Sequence, residues 1–153
     1  MNSKLVNPII NAFVEVMPQV GFPEPRRLRV YWQGVNVLTN GVTIKVGFTR
    51  QVCGNVIYNM TEDTAKFIAA TMMMGAPVTE LSDMVQSSIC EVCNMLAARA
   101  ATNFSQLKLD ADITTPELTI GQDPVLRAGE NYLNVEMQLG EHRVDIAICV
   151  EAD

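Results

Sequence analysis

Between Val42 and Phe48 apolar and polar residues alternate, with Val42, Ile44 and Val46 on one side. That is the period-two pattern of a strand covered on one face. Further strand-forming runs occupy 27–38 and 52–60, and Asn40-Gly41 between the first two predicts a hairpin turn. Ahead of them, Ile9, Ile10, Phe13, Val16 and Met17 recur at helical spacing. Asn7-Pro8 reads as the cap and first residue of that helix, and Pro18 as its stop. Thr61, followed by Glu62 and Asp63, caps a second helix to about Met74, closed by Gly75 and Pro77. Thr79, with Glu80 and Asp83, opens a long third helix to about Phe104. Strand patterns return at Leu107–Ile113, Glu117–Ile120, Asn131–Leu139 and Arg143–Val150, with Gly140-Glu141 as the last hairpin turn. This order predicts an α+β fold in one domain spanning 1–153. An extended antiparallel-rich sheet carries helices on one face, as two pseudo-repeats of helix plus three strands that share little sequence.

The composition narrows the function. A chain of 153 residues can bury a core without disulfides or metal. With 48% hydrophobic and only 18% charged residues, it has an apolar surplus that points to a subunit interface. The net charge of −6 and the 11 Lys and Arg argue against nucleic acid, whose binding rests on cations that release counterions. The short basic cluster Arg26-Arg27-Leu28-Arg29 reads as a solvated strand entrance. The N-terminal residues lack the pattern of a signal peptide, and no window approaches the ~20 apolar residues of a membrane span. The expectation is a cytoplasmic protein without membrane contact, with its four cysteines as thiols.

The long third helix holds the chemistry. At about 100° per residue, Leu81, Val85, Ile89, Val92 and Leu96 form a core stripe, with Met84 and Met95 at its border. Cys90, Cys93, Ala97 and Phe104 make an adjoining apolar flank. Ser87, Glu91, Asn94 and Ala98, spaced by 4, 3 and 4, line a third strip that Glu80 and Asp83 extend. That strip sets one carboxylate and one carboxamide a turn apart among short side chains. It is either an ordinary solvated helix face or a surface open to another protein.

The cysteines offer a third option. A reactive Cys-x-x-Cys sits at a helix N-terminus, where free N–H groups lower the thiol pKa. Cys90 and Cys93 fall in mid-helix, while Cys53 and Cys149 stand alone in strands. They read as small buried hydrophobes rather than metal or redox ligands. His142, the single histidine, reads as an exposed hairpin residue, and the Met72-Met73-Met74 run as packing at a helix end. No nucleophile-elbow or phosphate-loop motif is present.

The stretch "SSICEVCNMLAARA", 87–100, resembles the signature helix of the CheC/CheX/FliY phosphatases of bacterial chemotaxis. Ser87, Glu91 and Asn94 match that pattern, and Ala98 stands where the family usually has Gly. "GNVIYNMTEDTAKFIAATMMMG", "ADITTPELTIGQD" and "NPIINAFVEVM" extend the resemblance over nearly the whole chain. A single E-x-x-N favours the CheX branch, since Lys4, Asn7 and Asn11 supply no second Glu. The resemblance implies a CheC-like fold, a homodimer, and a phosphorylated CheY-like response regulator as substrate. It implies Glu91 and Asn94 as catalytic residues, Ser87 and Ala98 at the partner surface, and no cofactor in this chain, the Mg²⁺ being the receiver's own. A non-catalytic receiver-binding or flagellar-switch adaptor of the same fold is the alternative.

Overall fold

Val42, Ile44, Val46 and Phe48 are all within 2% of complete burial, as their alternation predicts. They belong to β2, Val42–Thr49, near one edge of a seven-stranded sheet in the computed structural model. The structure describes residues 3–121 and 125–152, with backbone alone at 34–38 and 125–130. Chain order is α1 (Ser3–Gln19), β1 (Arg26–Leu38), β2, β3 (Val52–Met60), α2 (Glu62–Met72), α3 (Asp83–Gln106), β4 (Asp112–Ile113), β5 (Glu117–Ile120), β6 (Val125–Leu139) and β7 (His142–Ala152). The α+β expectation therefore holds, with an entirely antiparallel sheet.

Strand order is β1-β6-β7-β3-β2-β4, with β5 also on β2. This overturns the predicted hairpin at Asn40-Gly41, because β1 pairs with β6 and never with β2. The two halves exchange their first strands: β1 joins the β6–β7 pair, and β4 and β5 join the β2–β3 pair. Asn40 does sit in a connection, but its amide donates to Asn59 Oδ1 at 2.8 Å and its Nδ2 to Asp145 Oδ2 at 3.2 Å. Those bonds hold the crossover segment against β3 and β7.

The helices cover one face. Val135, Met137, Val144, Ile146 and Ile148 meet Ile9, Phe13, Ile68, Ile89, Leu96 and Phe104 there, all 2% exposed or less. Phe104 packs edge-on against Phe48 with ring centres 5.7 Å apart. On the opposite face Arg29 Nε meets Glu136 Oε2 at 2.7 Å, and Arg143 Nε meets Asp145 Oδ1 at 3.2 Å. Burial pushes the Asp145 carboxyl up, and Arg143 opposes that shift.

Several helix ends differ from the expectation. α1 begins at Ser3, not Asn7, and contains both Pro8 and Pro18, because burying Leu5 rewards an extra turn ahead of the proline. α3 is capped by Ser82, whose Oγ accepts from Val85 N at 3.4 Å, rather than by Thr79. The expected strand Leu107–Ile113 shrinks to Asp112–Ile113 because the helix end takes up its first residues. Lys108 is left-handed at φ 63°, and Leu109 N donates to Phe104 O at 3.0 Å, a Schellman end built without glycine. β6 starts at Val125, six residues before the predicted strand. His142 is half-buried rather than exposed: its ring stacks on Phe67 at 4.3 Å, beside the Thr64 hydroxyl.

"ADITTPELTIGQD" acquires a structural meaning. Gly47 N donates to Thr114 Oγ1 at 2.8 Å, and Thr114 N to Gly47 O at 2.9 Å. Thr114 thus ties the chain to β2 between the two short strands.

Tyr58 lies fully buried on β3, beside Cys93 of α3, with no partner for its hydroxyl among the described residues. A buried donor without an acceptor costs about 1–3 kcal/mol. Tyr58→Phe is expected to raise stability by about 1 kcal/mol, or roughly 2–4 °C in Tm, measured by thermal unfolding. A loss of stability would show that the hydroxyl has a partner after all.

Candidate functional site on α3

α3 runs 24 residues, and its buried positions are Val85, Ile89, Val92, Cys93, Leu96, Ala97, Ala100 and Phe104. These face the sheet. Ser87, Glu91, Asn94 and Ala98 are all exposed, on a ridge pointing the other way. The structure thus brings the four residues of the E-x-x-N strip onto one accessible edge. No described residue engages the Glu91 carboxylate or the Asn94 carboxamide in a hydrogen bond or ion pair, so both groups are available to a partner.

The ridge is rigid because its flanks are tied down. Arg99 pairs with Glu15 of α1, and Asn103 Nδ2 donates to Pro8 O at 3.0 Å. On the other flank α3 packs against α2. Thr102 Oγ1 turns back to Ala98 O at 3.2 Å, which keeps the ridge low beyond Asn94. Met84, expected at the core border, instead stands on the ridge at 67% exposure.

Cys93 is buried in the core, while the half-buried Cys90 lies one turn before Asn94, at the border of the ridge. Burial, with Cys90 adding to it, pushes the Cys93 thiol far above its ordinary range, and burial raises Cys90 as well. Both stay protonated at neutral pH, in the form that is neither nucleophile nor ligand. Among the described residues no group of three or more His, Cys, Asp or Glu could hold a metal ion. Met72 and Met73 pack on the core, as expected for a helix end, but Met74 is left-handed at φ 60° and 96% exposed.

A groove of about 330 Å³ lies between the start of α1 and the end of α3, walled by Lys4, Asn7, Asn11, Asn103 and Gln106. It contains neither Glu91 nor Asn94. The ridge itself, with all four residues exposed on the outward side of a helix, suits entering a pocket on another protein rather than enclosing a small molecule. Among the described residues no helix is long and apolar enough to cross a membrane.

The family model for "Chemotaxis phosphatase CheX" matches residues 42–138, well over half of the chain and including all of α3. The CheY-P phosphatase CheX of Thermotoga maritima is 27% identical over 153 residues, covering 99% of both chains. Among solved structures, a CheC-like superfamily protein from a Shewanella species superposes with a TM-score of 0.87 at 19% identity, over 99% of this chain and 100% of that one. A CheX–CheY–BeF₃–Mg²⁺ complex from Borrelia burgdorferi contains a chain that superposes with a TM-score of 0.70 at 18% identity, over 97% and 96% of the two chains. With the matched family model spanning β2 through most of β6, this chain belongs to the chemotaxis phosphatase CheX family.

Proposed function

We propose that this chain, as a single CheX-like domain over 1–153, accelerates hydrolysis of the aspartyl phosphate on a CheY-like response regulator. One observation carries the reading: Glu91 and Asn94 stand exposed, side by side on the outward ridge of a helix whose other side is locked in the core. The named activity of the Thermotoga relative, and the Borrelia complex of CheX with CheY, support the substrate. The cytoplasm, where a response regulator acts, is its place of work.

Such a reaction asks little covalent chemistry of the phosphatase. The receiver brings the phosphoryl group, its Mg²⁺ and a lysine, and what remains is to align a water in line with the breaking bond. Asn94 supplies a neutral amide that accepts from that water and donates elsewhere, without a charge to repel the phosphoryl oxygens. Glu91, one turn away, pairs with the receiver's lysine and so sets how far Asn94 reaches. Ser87 and Ala98 are short enough to let the receiver surface approach the helix.

The test follows phosphate loss from each receiver of the same genome with and without this protein. Faster decay for at least one receiver is the expected result. Unchanged decay alongside retained binding would replace the phosphatase by the receiver-binding adaptor.

The same reading includes a homodimer. Leu28, Val30 and Trp32 of the edge strand β1 are 45, 44 and 56% exposed, whereas Val135 and Met137 of the neighbouring β6 are buried with the helices. An apolar edge of this kind attracts a second sheet edge. Light scattering is expected to show a dimer at micromolar concentration, and Trp32→Lys to weaken it at least about tenfold. A monomeric wild-type chain would refute the dimer and leave the phosphatase reading untouched.

A further inference from the structure

Among the described residues of α3, Met84 is the one large apolar side chain turned to solvent, at 67% exposure. A single exposed methionine carries no message by itself. Its position does. Met84 precedes Glu91 by two helical turns, so the two side chains share one line along the ridge, about 10 Å apart. The span between them is low. Ser87 is short, and Ser88 turns its hydroxyl back to Met84 O at 3.1 Å.

A protein that takes Glu91 and Asn94 into its own pocket must lie along this ridge. An ordinary stable interface covers about 800 Å² of each partner, a disc of about 16 Å radius. Centred on Glu91 and Asn94, it includes Met84. The surroundings also carry a charge signal. From Phe67 to Ala98 the chain has no Lys or Arg, while the exposed Asp83 adjoins Met84 and the exposed Glu80 lies in the bend ahead of α3 rather than on the helical strip.

We propose that Met84 is the apolar anchor of receiver docking, seated in an apolar depression beside the phosphorylated pocket and bordered by cations that face Glu80 and Asp83. Anchoring two turns from the chemistry fixes the angle of α3 on the receiver and hence the approach of Asn94. Methionine suits the task because its flexible thioether adapts to depressions of differing shape. The inference rests on the phosphatase reading above and adds a docking residue to it.

Steady-state decay of the phosphorylated receiver, measured for wild type, Met84→Ala, Met84→Leu and Asn94→Ala, separates the two. Met84→Ala is expected to raise KM at least about fivefold, with kcat within about twofold and Tm unchanged. Met84→Leu restores KM. A KM for Met84→Ala within about twofold of wild type, while Asn94→Ala still suppresses turnover, overturns the anchor and leaves the phosphatase standing. If wild type accelerates decay of no receiver, the reading falls and the anchor falls with it.

Discussion

Asn94→Ala is expected to lower kcat for receiver dephosphorylation at least about tenfold while leaving KM within about threefold of wild type. The side chain is exposed and has no hydrogen-bond partner among the described residues, so its removal leaves no hole and no orphaned group there. Alanine is also the better helix former by a few tenths of a kcal/mol, so α3 is spared and Tm should hold or rise slightly. On the proposed reading, what is lost is the amide that orients the water. Glu91→Ala provides the contrast: with its carboxylate proposed to pair with the receiver, KM is expected to rise more than kcat falls. Stopped-flow or phosphate-release kinetics at varied receiver concentration would resolve the two. Equal effects of both variants on KM alone would show that Asn94 only docks.

The largest effect on stability is expected from Gly54→Ala. Gly54 lies in β3, in the middle of the sheet, at φ +134°, a conformation that residues with a side chain rarely adopt. An added Cβ would stand 2.0 Å from Cys149 O and 2.8 Å from Val150 Cα on β7. Both are backbone atoms, so relief requires parting two central strands. A loss of at least about 3 kcal/mol is expected, roughly 6–12 °C in Tm, and poor expression if the margin is small. Gly121→Ala is the control: its Cβ would meet nothing within 4 Å. Thermal unfolding of the pair checks the account, and equal Tm values would refute it.

Local chemistry explains what could be read without coordinates. The alternation in β2, the Thr61 cap and the Gly140-Glu141 turn are signals between near neighbours, and each one held. The ridge of α3 was legible for the same reason. Spacings of 4, 3 and 4 place Ser87, Glu91, Asn94 and Ala98 on one line whatever surrounds the helix. Spacing alone does not distinguish a working edge from a solvated one; the resemblance of that stretch to a phosphatase signature is what favours the working edge.

The misses share a cause of the opposite kind. Asn40-Gly41 is a good local turn, but nothing nearby records that β1 prefers β6. Lys108 adopts a left-handed helix end without the glycine that would have announced it, because Leu109 and Phe104 gain burial together. Pro8 looked like a beginning until Leu5 found a place in the core. Hydrophobicity suggests the core border for Met84, but its place two turns before Glu91 turns it outward with the ridge, while the adjacent Val85 takes the buried position.

The exchanged first strands have a consequence for synthesis. Arg29 of β1 and Glu136 of β6 meet across 107 residues of chain. At about 5–20 residues per second, β1 waits roughly 5–20 s on the ribosome before its neighbour emerges. During that interval Leu28, Val30 and Trp32 form an unpaired greasy ribbon, and neither half can close alone. Nascent chains of this protein should therefore lean on holdase chaperones, and splitting the gene between the halves should yield fragments that aggregate when made apart and recover when made together.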